Sequence, residues 1–495
     1  MRASEVALVA VVLAGAACSS SNTTTPGNPA GPYVVAVFNG NGQAALPNAV
    51  LATPLSVAVA DTQGAAAVGV QVTWSVVSGG GSVSPATSMT DASGRASTVF
   101  TLGPTPGSQA VSAVAAPATG TVTFTATATS LTPVITLIKS VPTPAGTTFD
   151  HDTFVRDGLA FAFMWNSGVR IYDVGNGMSG GSPGNPVLVG SLITSADGVP
   201  GGAQVHNGWW FHNPVTGQNK YLFIGQEGIG SVGSSSQGDI HIVDVSNLAA
   251  PVEVGFIHIP GAGTHNFWMD EANQTLYAAY YNAGVVKIDV SGTLSGDMSS
   301  RIVKQVQPGG PGNTYVWGVM LANGTLYATD MLSGFWALDP ATLATKGGGN
   351  NVPERFGSDQ WVSGQVAYSG TWGGSGARTP GGPRGNAVKI WSLDGSGVPT
   401  LADSLIIPNI TTVSDVAVTP DGKALVITAE GGPGNGLYVF NRASPLKPVL
   451  AGWYPVSVGL HTGEVAVING RTYVFAARDP SQQQMDIFDI TGVVP

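Results

Sequence analysis

The chain has 495 residues, enough for two or three domains, and 43% of them are hydrophobic, which is ample for packed cores and excludes general disorder. Charged residues make up only 10%, and the formal net charge is −10. A weakly charged, acidic chain lacks the basic surface that nucleic-acid binding requires, so this class of function is excluded.

The N-terminus has the pattern of an export signal. Arg2 precedes the apolar run VALVAVVLAGAA, which is too short to span a bilayer comfortably and ends in small residues before Cys18, the only cysteine. GAAC and the polar SSSNTTTPGNPAGP after it resemble the lipobox and tether of a bacterial lipoprotein. The resemblance implies a signal peptide over 1–17, lipidation at Cys18 and a flexible tether over 18–32. It also implies a location in the cell envelope, lipid-anchored at the outer membrane or cell surface.

Residues 33–130 contain short β-strand patterns. Runs such as PLSVAVAD and VQVTWSVVSG alternate or cluster β-branched residues between turn signals, without helical periodicity, which predicts an antiparallel β-sandwich. GVQVTWSVVSGGGSVS followed by TDASGRAS resembles the invasin/intimin-type bacterial Ig-like domain. The resemblance implies that Trp74 is a core residue and that this domain is a spacer or adhesive module without catalytic function.

A short strand pattern recurs through residues 131–495. The copies VRIYD, IHIVD, VVKID, FWALD, VKIWS, LYVFN and MDIFD end at positions 173, 244, 289, 339, 392, 441 and 489. A spacing near 50 residues with several strands in each repeat is typical of a β-propeller, and seven copies predict seven four-stranded blades. The acid that closes five of the copies is interpreted as a turn residue whose carboxylate accepts backbone N–H groups.

The strand pattern VITLIKSV, at 134–141, precedes the first complete repeat, whereas only TGVVP follows MDIFDI at the end of the chain. We predict that this early strand completes the last blade and joins the two ends of the ring, which removes an exposed edge. GDIHIVDVSNLAAPVEVG and GVVKIDVSG resemble the LVIVD repeat of bacterial surface propellers. The predicted fold is therefore all-β, an Ig-like β-sandwich followed by a seven-bladed β-propeller.

Four of the seven histidines occupy one place in the repeat, at the start of the first strand, which lines the central channel of a propeller. They are His151, His206, His265 and His461. The equivalent positions of the other repeats are predicted at Tyr315, Trp361 and the Ser414–Asp415 pair. The loop after the second strand opens on the same face and offers Glu227, Asp330, Glu430 and Asp479. We predict that the four histidines, Tyr315 and these four acids form a ligand site, and we assign His212, His241 and His258 to surface or blade positions.

Histidines beside carboxylates can hold a metal ion, form an acid–base pair, or act as structural hydrogen-bonding residues. Metal ligation requires nitrogens at about 2.0–2.1 Å from one ion, and we expect a seven-bladed ring to hold the imidazoles farther apart. No catalytic residue and no cofactor are therefore predicted, with a divalent metal at the histidines as the alternative.

Three functions fit these patterns. The first is a cell-envelope lipoprotein that binds or scaffolds an unknown extracellular ligand or protein through the propeller face. The second is a metal-dependent hydrolase or oxidoreductase that uses the histidines. The third is surface adhesion through the Ig-like domain. The patterns leave the enzyme question open and favour a binding protein.

Overall fold

A computed structural model of the chain describes residues 31–45, 47–116, 121–129, 135–197, 199, 202–228, 230–479 and 481–494. The predicted signal peptide, Cys18 and most of the predicted tether lie outside these residues. The chain divides into two compact units, Met1–Leu131 and Thr132–Pro495. Within the described ranges, no helix has the length and apolar character needed to cross a membrane.

The first unit consists of strands in two sheets that share one core. Its strands are β1 (Val34–Asn39), β2 (Gln43–Ala45), β3 (Leu55–Ala60), β4 (Gln71–Ser78), β5 (Ser82–Ser84), β6 (Thr87–Met89), β7 (Arg95–Thr101), β8 (Gly107–Ala115) and β9 (Val122–Ala128). They pair in the orders β1-β3-β7-β5 and β2-β9-β8-β4-β6. Burial alternates along β3, β7 and β8, so each strand presents one apolar face inward. Trp74 is buried in this core, with its ring 5.8 Å from that of Phe124.

The second unit is built from successive four-stranded antiparallel arrays, numbered here as sheets 1 to 7. Sheet 1 contains β11 (Asp152–Arg156), β12 (Leu159–Phe163), β13 (Val169–Asp173) and β14 (Val187–Leu192). Sheet 2 contains β15 (Val205–Phe211), β16 (Tyr221–Gln226), β17 (Ile240–Asp244) and β18 (Val252–Ile257), with the short β22 (Gly296–Asp297) beside β18. Sheet 3 contains β19 (Phe267–Asp270), β20 (Thr275–Tyr280), β21 (Gly284–Asp289) and β23 (Ile302–Val306).

Sheet 4 contains β24 (Val316–Ala322), β25 (Thr325–Asp330), β26 (Gly334–Leu338) and β27 (Thr345–Gly348), and sheet 5 contains β28 (Phe356–Ser363), β29 (Val366–Trp372), β30 (Ala387–Leu393) and β31 (Pro399–Ile406). Sheet 6 contains β32 (Thr412–Val418), β33 (Ala424–Glu430), β34 (Gly436–Asn441) and β35 (Val449–Pro455). Sheet 7 contains β36 (Gly463–Ile468), β37 (Arg471–Ala477), β38 (Gln484–Asp489) and β10 (Thr136–Pro142). The one helix in the described part of the chain is a 3-10 turn at Ser299–Arg301.

Each sheet buries apolar side chains against the next one. Phe161 of sheet 1 packs on Trp210 of sheet 2, with ring centroids 5.4 Å apart. Further buried clusters join sheets 2 to 3, 3 to 4, 4 to 5, 5 to 6 and 6 to 7. Phe475 of sheet 7 then packs in one cluster with Ala160 of sheet 1. The series of sheets is therefore closed on itself by packing.

The strand β10 lies beside β38 and completes sheet 7. The two strands pair antiparallel from Thr136 opposite Asp489 to Pro142 opposite Gln484, which confirms the predicted pairing of the early strand with the last repeat. Ser140 adds a 2.6 Å hydrogen bond from its hydroxyl to the buried carboxylate of Asp486.

The acids that close the third strands hold turns, as predicted. The carboxylates of Asp244, Asp289 and Asp489 each accept the backbone N–H two residues ahead at 2.9 Å. Asp339 accepts the corresponding N–H at 3.1 Å. Asp173 accepts five N–H groups from the glycine-rich segment after β13, so this long insertion is anchored by one side chain.

Candidate metal centre

The repeat places the four histidines at one level of the channel. The backbone N–H groups of His151, His265 and His461 each donate to a carbonyl at the end of the second strand of their sheet, at 2.8–2.9 Å. The acceptors are the carbonyls of Phe163, Ala279 and Ala477. His206 reaches the same level through a β-bulge, because the pairing of β15 with β16 shifts between Val205 and Asn207. Such a bulge re-aims a side chain without breaking the sheet.

The histidines form a continuous arc of rings across sheets 7, 1, 2 and 3. Ring centroids lie 4.3 Å apart for His461 and His151, 4.2 Å for His151 and His206, and 4.1 Å for His206 and His265. All four are buried, with His206 only 1% exposed. The expectation of wide spacing is therefore wrong. Four consecutive sheets supply these side chains, so they gather on one side of the channel and are not distributed around it.

Three of the predicted acids lie against this arc. Glu227 Oε2 is 3.8 Å from His151 Nε2 and 3.7 Å from His206 Nε2. His461 Nδ1 is 3.3 Å from Glu430 Oε1 and 3.9 Å from Asp479 Oδ2. The hydroxyl of Ser414 donates to the same Glu430 oxygen at 2.9 Å. The arc therefore has one carboxylate at its centre and two at its sheet 7 end.

The carboxylate of Asp330 is engaged by the backbone of its own sheet. Its carboxylate accepts the backbone N–H groups of Tyr315, Leu332 and Ser333 at 2.8–2.9 Å. Both oxygens are thus used to shape the loop after β25. Tyr315 itself lines the cavity above the arc and stacks on Tyr281 with centroids 4.3 Å apart.

Three aromatic residues complete the site and were missed. Trp317 packs on His265 with centroids 4.1 Å apart, Trp165 stacks on His151 at 5.1 Å, and the Tyr281 hydroxyl donates a short hydrogen bond to Glu227. Trp165 and Tyr281 follow second strands, where only acids were considered. Trp317, and not Tyr315, is the sheet 4 equivalent of the histidines, because β24 has a bulge between Val316 and Gly318. Trp361 lies farther along its strand, 6.4 Å from Trp268.

The environment divides the histidines into neutral and charged groups. Burial, with the charge of His461, lowers the pKa of His206 to about 3. Burial and the neighbouring histidines hold the pKa values of His151 and His265 well below the usual range. Burial opposes the charge on His461 as well, but Glu430, Asp479 and Glu227 together raise its pKa to about 9. At neutral pH three imidazoles therefore carry a free lone pair.

Burial also changes the acids. It raises the pKa of Glu227 to about 7, against the opposing effect of the Tyr281 hydrogen bond. It raises the pKa of Asp479 to about 7, although His461 opposes this shift. Both carboxyls therefore gain or lose a proton close to neutral pH.

Several buried polar atoms of the arc have no hydrogen-bond partner among the described residues. They are His151 Nδ1, His206 Nδ1, His206 Nε2, His265 Nδ1 and Asp479 Oδ1. A buried polar atom without a partner costs about 1–3 kcal/mol. A ligand that bonds several of these atoms at once would recover that free energy.

Two overlapping donor sets in the arc can hold a metal ion. One is His151, His206 and Glu227, and the other is His151, His461 and Asp479; in each set the donor atoms lie within 4.8 Å of one another. Imidazole nitrogen with carboxylate oxygen is a donor combination that zinc, copper and iron accept. The arc therefore has the composition and the convergence of a transition-metal site.

The arc separates two cavities. A cavity of about 210 Å³ on one side has aromatic walls from Tyr281, Tyr315, Trp317 and Trp372. A channel of about 130 Å³ on the other side is lined by four carboxyls, Asp152, Asp359, Asp415 and Glu464. Burial raises the pKa of Asp152 to about 7 and that of Glu464 to about 8. Asp359 accepts a 2.8 Å hydrogen bond from Asn266, and burial with the Asp415 charge holds its pKa well above the usual range.

Comparisons with known proteins agree with this architecture. No protein-family model matches the chain, and no curated protein matches it. The crystal structure of the Myceliophteria thermophila Cps50 (Swd1) beta-propeller domain superposes with a TM-score of 0.51 and 10% identity, covering 72% of this chain and 100% of that one. A chain in the crystal structure of the mitotic checkpoint complex superposes with a TM-score of 0.50 and 12% identity, covering 72% of this chain and 92% of that one.

At these identities the likeness concerns the fold alone. The protein is an all-β protein that contains a β-propeller, as predicted. The superposed part is 72% of the chain, which is many more residues than the first unit contains. It therefore includes most of the second unit, where the arc of histidines lies.

Proposed function

We propose that the second unit is a seven-bladed, LVIVD-type propeller that binds a divalent transition-metal ion at the histidine arc and captures a small ligand in the aromatic cavity above it. The observation that carries this proposal is the set of buried, unpartnered donor atoms in the arc, four of them imidazole nitrogens. Neutral imidazole is the form that ligates a metal, and burial keeps His151 and His206 neutral. The ring spacing of 4.1–4.3 Å favours this function over a dispersed polar surface.

The cavity above the arc supports capture of a small organic molecule. Its volume of about 210 Å³ and its tyrosine and tryptophan walls suit a compact apolar or aromatic body. A metal ion held by three protein donors keeps a coordination position for such a ligand. The ligand class is therefore a small molecule that combines a flat apolar part with one metal-binding group.

Catalysis is a second candidate function, and one residue favours it. Glu227 has a pKa of about 7, accepts a hydrogen bond from Tyr281 and lies beside the same cavity. A carboxylate with a pKa near the working pH is suited to accept and return a proton. Glu227 would then serve either as a metal ligand or as the base of a metal-assisted reaction.

Metal analysis of the purified full chain tests the proposal. After loading with Zn²⁺, Cu²⁺ or Fe²⁺ and removal of free ion, we expect the double variant His151→Ala, His206→Ala to hold about one equivalent less than the wild type. Glu227→Gln, which keeps size and shape, should weaken binding, and His212→Ala, outside the arc, should not. Equal metal content in the wild type and in folded arc variants would overturn the proposal.

We further propose that the chain is an envelope lipoprotein in which residues 33–130, within the first unit, form an invasin/intimin-type Ig-like domain that serves as a spacer or adhesive module. The GAAC segment and the alternating burial in two sheets around Trp74 support these assignments. The partner is an extracellular ligand or protein, and nucleic acid is excluded by charge. Cys18→Ser should move the protein from the membrane fraction to the soluble fraction, because acyl chains provide the anchor. Unchanged fractionation would contradict the lipid anchor without affecting the metal proposal.

A further inference from the structure

A second group of metal-ligating side chains lies in the second unit, apart from the histidine arc. His241 Nδ1 is 2.8 Å from Glu253 Oε1 and 3.7 Å from Asp197 Oδ2. The Ser195 hydroxyl is 2.7 Å from Asp197 Oδ2 and 2.9 Å from Glu253 Oε1. One imidazole nitrogen and three oxygens thus converge on one point. The sequence placed His241 only at a surface or blade position.

The fold brings these four side chains together from two strands and one connection. His241 belongs to β17 and Glu253 to β18, and a bulge between Ile242 and Val243 sets Glu253 opposite Val243, on the same strand face as His241. Ser195 and Asp197 come from the connection between β14 and β15. That connection is held in place where the backbone N–H of Ser195 donates to Glu253 Oε2 at 2.8 Å. Glu253 therefore has one oxygen fixed and the other directed at the cluster.

The number of protons in the cluster is too small for its contacts. The Ser195 hydroxyl has one proton but lies within hydrogen-bond distance of two carboxylate oxygens, so when both carboxylates are ionised one of these contacts joins two oxygens without a hydrogen between them. In the ranges that the structure describes, no lysine or arginine forms an ion pair with Asp197 or Glu253. A divalent cation would satisfy all four groups at once.

From this arrangement we propose that Ser195, Asp197, His241 and Glu253 form a binding site for a divalent cation of the manganese or zinc class. An ion about 2.1 Å from four tetrahedral donors separates these donors by about 3.4 Å. The four measured separations are 2.7, 2.8, 2.9 and 3.7 Å. An ion would therefore need to move three of the donor pairs apart by about 0.5–0.7 Å and the fourth pair together by about 0.3 Å, which side-chain rotation can supply.

The proposed site has a buried imidazole on one side and is open to solvent on the other. His241 is fully buried, whereas Ser195 and Asp197 are exposed, so an ion can reach the donors without opening the sheet. The mixture of one nitrogen with three oxygens is harder than the imidazole-rich arc and suits manganese or zinc better than copper. The site therefore differs from the arc in its donor set.

The proposed ion would stabilise the connection that leads to the arc. Gln226 Nε2 donates to the carbonyls of Ala196 and Gly202 in the same connection, at 3.1 and 3.3 Å. The connection then enters β15, which carries His206. A cation at Asp197 and Glu253 would thus fix the start of the strand that supplies one imidazole of the arc. The proposal does not depend on a metal at the arc itself.

Titration of the full chain with Mn²⁺, followed by the loss of the free-ion EPR signal, tests this site. We expect the wild type to bind Mn²⁺, Glu253→Gln and Asp197→Asn to bind it at least about tenfold more weakly, and the arc variant His206→Ala to bind it as the wild type does. Asp197 is exposed, so Asp197→Asn should retain the fold, and circular dichroism checks this. Wild type that binds no Mn²⁺, or binding that is lost in His206→Ala but kept in Asp197→Asn, would overturn the proposal.

Discussion

The pH dependence of metal affinity identifies which donor set of the arc holds the ion. Donors must be deprotonated to bind, so affinity rises with pH wherever a donor still carries a proton. In the set His151, His206 and Glu227, both imidazoles are already neutral because burial lowers their pKa values. Only Glu227, with a pKa of about 7, changes between pH 6 and pH 8. Its deprotonated fraction rises from about one tenth to about nine tenths, so affinity should rise about 10-fold.

The other set predicts a much steeper dependence. Asp479 also has a pKa of about 7 and contributes about 10-fold over the same interval. His461 has a pKa of about 9, so its neutral fraction rises by a further factor of about 90 between pH 6 and pH 8. The set His151, His461 and Asp479 therefore predicts a rise of about 900-fold. Because its imidazoles need no deprotonation, we expect the first set to hold the ion.

Zn²⁺ affinity measured against a competing chelator at pH 6, 7 and 8 distinguishes the two sets, with Asp197→Asn in every protein to weaken the second proposed site. We expect about a 10-fold rise with the arc intact, no rise in Glu227→Gln, and an unchanged rise in His265→Ala, which belongs to neither set. A rise near 900-fold would assign the ion to His461 and Asp479. An affinity that is constant or that falls between pH 6 and pH 8 would refute the reasoning for both sets.

Two further predictions concern stability. Arg478→Leu removes the guanidinium that lies 2.5 Å from the fully buried Asp486 carboxylate, and should lower the free energy of unfolding by about 3–5 kcal/mol in urea titrations. Ser140→Ala removes only one hydrogen bond to that carboxylate and should cost about 1.5–3 kcal/mol; a larger loss for Ser140→Ala than for Arg478→Leu would contradict this ranking. Trp74→Ala should destabilise the first unit by about 3–5 kcal/mol. Calorimetry should then show a lower midpoint temperature for the unfolding of the first unit and an unchanged midpoint for the second unit. A shift of both transitions would show that the two units do not unfold independently.

The sequence predicted those features of the fold that depend on local patterns. The alternation of VVKID and its copies is a period-2 signal, and all but the first of the intervals between copies are close to 50 residues. The pairing of β10 with β38 followed from counting strands, since an unpaired edge at each end of the chain has one simple partner. The turn function of the closing acids followed in the same way, because an aspartate directly after a strand accepts nearby N–H groups.

The geometry of the site depends on features that no residue pattern marks. The bulge in β24 moves the inward position from Tyr315 to Trp317, and a bulge carries no sequence signal of its own here. Asp330 lies one repeat position before Glu227, since Val316 pairs with Asp330 where the equivalent Val205 pairs with Gln226, and three backbone N–H groups bind its carboxylate. The close spacing of the imidazoles follows from how four sheets converge, which is a tertiary property. Sequence therefore identified most of the donors but not their distances.

The strand that completes sheet 7 also constrains the time at which the second unit can fold. Thr136 must wait for Asp489, roughly 350 residues later in the chain, before the two can pair. At about 5–20 residues per second, synthesis of that interval takes between about 20 and 70 seconds. During this time β10 has an open edge, and no earlier part of the second unit satisfies it in the final structure. A chain that ends after β37 and before β38 would therefore have sheets 1 to 6 complete, but it could not pair β10 and close the ring.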